Sequence, residues 1–433
     1  MTTKPALSKV TKAWIFYDWA NSVYPLIISS AIFPVFYESI TQKDLAGRIQ
    51  LGSFNFYNTE FYSYVVALSY LVVAIISPVL SGLADVGGHR KTFLKLFCYL
   101  GAFSSAALSL FNTQHVLLSM SALLLASIGF WGSLVFYNAY LPEIAAPEDQ
   151  DRISARGFAM GYLGSSILLL TILIVCVFLK WVPIRFAFLG VGAWWLGFAQ
   201  VTFRYLPPGK QHSAYRNTKQ MRFKSSFLEL KKVWGLIRLK PLLYKYLTAY
   251  FMFNMGVQTV MIMAVPFAAK AIQWSSDQEK QSSLVVSILL IQFLGIAGSF
   301  LSSRISKSLG NVLCLLVLIS AWLLLCIGVW QWVYTPLSFY ITASVVGFLM
   351  GGTQALARST YSKMLPDSED HTSFFSFFDV SEKIGLVIGT SSFGIIEGLT
   401  GGIRNSVLSV TLAFCLGLWL LFRVYRQSFK QSS

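Results

Sequence analysis

Twelve apolar runs, most of them twenty residues or longer, punctuate the chain at roughly 13–40, 61–83, 93–112, 116–141, 155–179, 184–205, 242–268, 283–303, 311–332, 336–361, 373–399 and 403–424. About 20 apolar residues in a helix cross the hydrocarbon core of a bilayer. Only helices and closed barrels satisfy their backbone hydrogen bonds there. A barrel would read as alternating ten-residue segments, and none is visible. The chain is therefore expected to be an all-α integral membrane protein with twelve transmembrane helices. Its composition agrees, with 55% hydrophobic residues and 12% charged, where an ordinary soluble domain has about 25% charged.

The net charge of +16 invites a polyanion-binding reading, but its distribution argues for topology. About 26 of the 34 Lys and Arg fall in segments assigned to one side, the pattern of the positive-inside rule. Nucleic acid is not an expected partner; the bilayer is. An even number of spans puts both termini on one side. Lys4, Lys9, Lys12, Arg423, Arg426 and Lys430 place that side in the cytoplasm. The expected setting is the inner cell membrane, with the first span acting as its own insertion signal. The five cysteines are scattered singly over apolar stretches and show no framework spacing.

A basic interruption, 206–241, separates six spans in 1–205 from six in 242–433. Its second half has apolar residues at 227, 230, 233, 234 and 237 with basic ones between, an amphipathic helix along the cytoplasmic membrane surface. The halves look like repeats. Leu141-Pro142-Glu143 and Leu365-Pro366-Asp367 close the fourth and tenth spans at an offset of 224. The following spans carry Gly157, Gly161 and Ser165, then Ser381, Gly385 and Gly389, at the same offset. Small residues every fourth position let membrane helices approach closely. Parallel six-helix repeats joined by a basic linker describe two six-helix bundles in the major facilitator fold.

Charge inside the spans points to chemistry, because intramembrane ionisable residues usually face a cavity. The first span carries Asp18 and Asn21 one turn apart, amid Trp14, Phe16, Tyr17, Trp19 and Tyr24. Asp18 equally suits the positive end of its own helix. The eleventh carries Asp379, Glu382 and Lys383. Asp379 and Lys383 are spaced for an ion pair, which would leave Glu382 with no intrahelical partner of opposite sign. A lone carboxylate in low dielectric suits a group that binds and releases a proton. Glu382 and Asp18, with Asp379 and Lys383 beside them, are the expected proton-coupling residues.

The loop Ser81–Lys91 resembles the major facilitator signature through Leu83, Ala84, Asp85, Gly88, Arg90 and Lys91. Ser81 stands where a glycine is usual and Val86 where an arginine is usual. The resemblance implies a cytoplasmic gate built on Asp85, Gly88, Arg90 and Lys91. Tyr17-Asp18-Trp19-Ala20-Asn21-Ser22, the stretch 157–164 and the stretch 351–359 resemble the "unknown major facilitator" branch. That branch is similar to the autophagy-related vacuolar amino-acid effluxers of fungi, and the matching motifs span nearly the whole chain.

The resemblance implies a central cavity lined by the first, fourth, seventh and tenth spans. Polar groups there are Tyr17, Asp18, Asn21 and Tyr24; Tyr137 and Asn138; Asn254 and Gln258; Gln354 and Arg358. Asn and Gln also bond simply across helices, and Arg358 lies close enough to a membrane face to snorkel. The function implied is secondary active transport of a small polar metabolite by alternating access, with proton-coupled amino-acid export the first expectation and a monomer the expected state. A carrier of drugs, sugars or siderophores and a non-transporting receptor or scaffold remain alternatives. Enzyme readings lack an inventory. The four histidines are isolated, so no metal site is expected, and no phosphate loop or nucleophile elbow appears. No cofactor is implied.

Overall fold

The computed structural model describes residues 8–209, 223–368 and 370–432, so the expectations for Lys4 and for linker residues 210–222 lie outside the described residues. The described chain is helical apart from one hairpin. In order it runs α1 (Lys9–Asn21), α2 (Phe33–Leu45), β1 (Arg48–Leu51), β2 (Phe54–Tyr57), α3 (Asn58–Gly87), α4 (Arg90–Ala107), α5 (Val116–Asn138), α6 (Leu141–Ile144), α7 (Pro147–Ile172) and α8 (Phe186–Tyr205). It continues with α9 (Phe223–Leu239), α10 (Pro241–Ala271), α11 (Asp277–Leu309), α12 (Asn311–Trp332), α13 (Pro336–Met364), α14 (His371–Thr400) and α15 (Ile403–Ser432). Eleven helical stretches among the described residues are long and apolar enough to cross a membrane. The expected twelfth, α14, is 30 residues long but carries Asp379, Glu382, Lys383 and Glu397. Many large apolar side chains point outward, with Ile75, Leu118, Leu324 and Leu412 more than half exposed, as a lipid-facing surface requires.

Local chemistry sets several boundaries. Gly88 ends α3 in the left-handed conformation at φ +68°, a shape glycine adopts without steric cost. Thr335 and Ser338 cap α13 reciprocally, Ser338 N donating to Thr335 Oγ1 at 3.3 Å and Thr335 N to Ser338 Oγ at 3.0 Å, with Pro336 at the first helical position.

The first span departs from the continuous helix expected over 13–40. After Asn21 the backbone passes into a π-helical stretch, Tyr24–Ala31, before α2 begins. Ile32 N bonds back five residues to Ile27 O at 3.0 Å. Pro25 has no N–H to give the ladder, and its ring clashes with the preceding turn. Ser30 Oγ donates to the Pro25 carbonyl at 2.9 Å. The β1–β2 hairpin, turning at Gly52 (φ +60°), is a second feature with no span-level signal.

The chain groups into two compact units, Met1–Tyr140 with Met160–Phe227, and Leu141–Ala159 with Leu228–Ser433. The boundary thus cuts α7, whose first half belongs to the second unit. In the first unit α4 packs on α5 and α8, and α1 on α8; in the second α11 packs on α13, and α10 on α14 and α15. The small-residue stripes occupy matching places. Gly161 of α7 lies where a Cβ would meet the Ser22 side chain and the Asp18 carbonyl of the first span, while Ser165 Oγ donates to Gly161 O at 2.8 Å. Gly385 and Gly389 of α14 lie against Met255 and Thr259 of α10. Gly157, one turn before Gly161, is buried in the second unit.

The closest backbone approach in the second unit joins α11 and α13. A Cβ on Gly298 would overlap the Phe348 carbonyl, and one on Gly351 the Gly295 carbonyl. Gly351→Leu is expected to cost at least the ~1–3 kcal/mol of an overpacked core and to lower the thermal midpoint of the detergent-solubilised protein. An unchanged midpoint would show that the two helices can separate freely.

Candidate functional site

In the first unit, α1 and α5 bring Asp18 to Tyr137. Both are buried, and the Tyr137 hydroxyl donates to Asp18 Oδ2 at 2.8 Å. Trp14, one helical turn before Asp18, stacks on the Tyr137 ring at 4.5 Å, and its Nε1 donates to the Tyr137 carbonyl at 2.9 Å. Tyr17 lies 5.0 Å from the same ring. Trp14 and Tyr17 thus form an aromatic box around the ring whose hydroxyl meets the carboxylate. Asp18 sits near the C-terminal end of α1, where the helix dipole disfavours an acid, so dipole stabilisation does not account for its position. Asn21 is buried, its Nδ2 lacks a hydrogen-bond partner, and its Oδ1 accepts from Ser22 Oγ at 3.4 Å. Tyr24 is set apart from Asp18, stacked on Phe130 at 5.0 Å. Asn138 ends α5, half-buried.

In the second unit, α10 presents Tyr250, Asn254 and Gln258 at successive four-residue steps, one stripe on one face. The stripe meets the charged turn of α14. Gln258 Nε2 donates to Glu382 Oε1 at 2.8 Å, and the Tyr250 hydroxyl donates to Glu382 Oε2 at 3.3 Å. Lys383 Nζ lies 2.7 Å from Asp379 Oδ1 and 4.0 Å from Glu382 Oε2. Glu382 is therefore not the isolated carboxylate that helix spacing suggests. The long lysine side chain reaches its sequence neighbour as well as the residue one turn back, and α10 supplies two neutral donors. Asp379 Oδ2 and Asn254 Nδ2 are buried without hydrogen-bond partners among the described residues. Two carboxylates thus share one ammonium. Asp379 is buried and Glu382 partly so, and an excess of negative charge withdrawn from water is costly unless something neutralises it.

Residues 354 and 358 of α13 diverge in their contacts. Gln354 Nε2 lies 3.7 Å from Met261 Sδ. Arg358 is buried, so it does not snorkel. Its Nε donates to Ser154 Oγ at 2.9 Å, a second nitrogen donates to the Ser154 carbonyl at 2.9 Å, and the guanidinium lies 4.2 Å from the Phe158 ring centre. Nearby, Asp151 accepts from Lys363 at 2.6 Å, from Asn311 at 2.7 Å and from Ser306 at 3.2 Å. These contacts fasten the first half of α7 to α11, α12 and α13 within the second unit. Asp151 is almost fully buried and Lys363 is a quarter exposed. Lys363→Met is therefore expected to cost more, about 1.5–3 kcal/mol for the orphaned charge-assisted bond, than Asp151→Asn, which leaves a lysine that water can reach. Paired unfolding midpoints in micelles check the order; the reverse order would contradict it.

The signature loop is held inside the first unit. Arg90, buried, lies 3.4 Å from Asp85 and donates to the Ala139 carbonyl at 3.3 Å, and Lys91 donates to the Leu206 carbonyl at 2.6 Å. Gly88 supplies the left-handed turn between Asp85 and Arg90. Spacing along one helix could have identified Tyr250, which extends the Asn254–Gln258 stripe. No local signal identifies Asp151 or Ser154, whose partners lie more than 150 residues away in sequence.

Helices long and apolar enough to cross a membrane, in two units with charged side chains buried in them, fit the fold of a transporter of the major facilitator type. The chain belongs to the family described as "Vacuole effluxer Atg22 like", whose model matches residues 7–432. It is similar to the "Uncharacterized MFS-type transporter YxiO" of Bacillus subtilis, 28% identical over 96% of this chain and 94% of that protein. It is also similar to the autophagy-related protein 22 of Yarrowia lipolytica, 24% identical over 85% of this chain and 76% of that one. Among solved structures, the fold matches the E. coli fucose:proton symporter FucP at TM-score 0.66 and 16% identity, over 96% of this chain and 97% of that one. It matches the proton:xylose symporter XylE at TM-score 0.69 and 11% identity, over 96% and 95%.

Proposed function

We propose that this protein is a secondary active transporter of a small polar metabolite, an amino acid first, working by alternating access and coupled to protons. The observation that carries the proposal is the α14 turn, where Asp379 and Glu382 share Lys383 and Glu382 also binds Gln258 and Tyr250. A proton or the ammonium group of a substrate relieves the excess charge. Binding either one competes with the Lys383 and Gln258 contacts, which ties occupancy to rearrangement between α10 and α14. Asp18, poised on Tyr137, is the second acidic group of the pathway.

Membership of a family described by vacuolar efflux favours export of a metabolite over import. The bacterial relative and the charge distribution support a cell membrane location with both termini cytoplasmic. The bundles are assigned as 1–205 and 242–433, with the linker between them and Asp85, Gly88, Arg90 and Lys91 as the gate motif. The protein acts as a monomer in this reading.

The test is flux in liposomes containing the purified protein, with mixed labelled amino acids and an imposed pH gradient. Gradient-dependent flux supports the reading. Absence of amino-acid flux, with flux of sugars or hydrophobic cations instead, replaces the substrate class.

A further inference from the structure

The linker helix α9 is seated by Val233 and Ile237, both fully buried. Trp234, beside them, lies 5.5 Å from Phe377 of α14 and 6.3 Å from Tyr244 of α10. Beside the indole a groove of about 390 Å³ runs between α10 and α14, walled by Tyr244, Leu247, Phe251, Phe377, Ser381 and Ile384. The wall residues recur at i, i+3, i+4 and i+7 on each helix, so two continuous stripes face one another. One residue beyond Ile384, Gly385 packs α14 against Phe251 and Met255 of α10. At its mouth, Leu239, Tyr244 and Ile384 are exposed. It is a slot lined by apolar side chains except for Thr248 and Ser381.

Lys231 and Arg238 stand three residues before and four residues after Trp234, on the same helix face, and both are exposed. Neither has an ion-pair or hydrogen-bond partner among the described residues. The neighbouring lysines are engaged elsewhere, Lys232 on Asp370 at 3.0 Å and Lys245 on Gln427 at 2.8 Å. Asp370, just before α14, is taken by Lys232; of the acids on α14, Asp379 and Glu382 contact Lys383, Tyr250 and Gln258, and Glu397 pairs with Lys270. Two unpaired cations therefore flank the roof of an apolar slot at the basic end of membrane-crossing helices.

We propose that this groove binds an anionic phospholipid, one acyl chain between α10 and α14 and the phosphate held by Lys231 and Arg238. A free phosphate would leave the slot empty, and a zwitterionic lipid would not use both cations. Arginine offers phosphate a bidentate fork, and each basic side chain near a membrane surface adds ~1 kcal/mol for anionic lipid, about fivefold in binding. The bound lipid would tie the linker to α14 alongside its charged turn. This inference rests on the groove and its charges, independently of the transported substrate.

The test is native mass spectrometry of the full-length protein released from micelles containing equal phosphatidylglycerol and phosphatidylcholine. Wild type is expected to retain phosphatidylglycerol at least tenfold over phosphatidylcholine, and K231Q/R238Q to lose that preference while eluting as a folded peak. Ser381→Leu, which fills the groove and keeps both cations, is expected to reduce retention of the lipid. Equal retention of both lipids by wild type, an unchanged preference in K231Q/R238Q, or competition by glycerol phosphate as strong as by the whole lipid would overturn the proposal.

Discussion

Asp18→Asn is expected to abolish substrate flux while leaving the protein folded and in the membrane. Asparagine keeps an acceptor for the Tyr137 hydroxyl that now meets Asp18 at 2.8 Å, so the aromatic box with Trp14 and Tyr17 survives. What is lost is the charge. Replacing a charge-assisted contact to substrate or proton by a neutral one removes ~1.5–3 kcal/mol, which is tenfold to more than a hundredfold in rate or affinity. The thermal midpoint should stay within the scatter of a neutral surface substitution. Full flux in Asp18→Asn would remove Asp18 from the pathway, and loss of flux accompanied by loss of folded protein would recast it as structural.

The second large effect is expected at Glu382. Glutamine there keeps one acceptor oxygen for Gln258, turns its NH2 toward the Tyr250 hydroxyl, which can accept it, and leaves Lys383 paired with Asp379 alone, one carboxylate to one ammonium. With the excess charge gone there is nothing for a proton to neutralise. Glu382→Gln should therefore exchange labelled for unlabelled substrate across the membrane yet fail to accumulate it against a gradient. Accumulation in wild type draws on about 1.4 kcal/mol per tenfold concentration ratio, so the variant should fall to equal concentrations on both sides. Gradient-driven accumulation at the wild-type level in this variant would place the coupling group elsewhere.

Most of the fold is legible in sequence because the bilayer imposes a rule on each segment separately. A run of apolar residues long enough to cross must be helical, and eleven runs meet that rule outright. The exception, α14, carries Asp379, Glu382, Lys383 and Glu397, so the charged turn that obscures the span is the one that marks the site. The break after Asn21 was written in Pro25 and Pro34, but apolar length outweighs two prolines when a span is read as a whole. The small-residue stripes were legible as periodicity; that one meets α1 and the other α10 required coordinates.

The site divides along the same line. Asp18, Asn254, Gln258, Asp379, Glu382 and Lys383 stand out because polar groups are rare in such segments. Their partners do not, because side-chain reach across helices is a long-range fact. Helix spacing isolates Glu382 on its own face, whereas Gln258 and Tyr250 reach it from α10 across 124 and 132 residues. Arg358 reads equally as pathway or as a snorkelling cation until burial against Ser154 and Phe158 shows where it goes. Asp151 lies beside Glu148, Asp149 and Arg152 at the start of α7, and nothing local separates it from Asp149, which pairs with Arg152 three residues on.

The most direct test of proton coupling at the shared-lysine turn counts protons and substrate together. Wild-type protein in liposomes loaded with a pH-sensitive dye would be given labelled amino acid outside, and lumenal pH and lumenal label would be followed in one sample. The account predicts a substrate-dependent pH change in fixed proportion to the label moved. Label entering with no change in lumenal pH would contradict it.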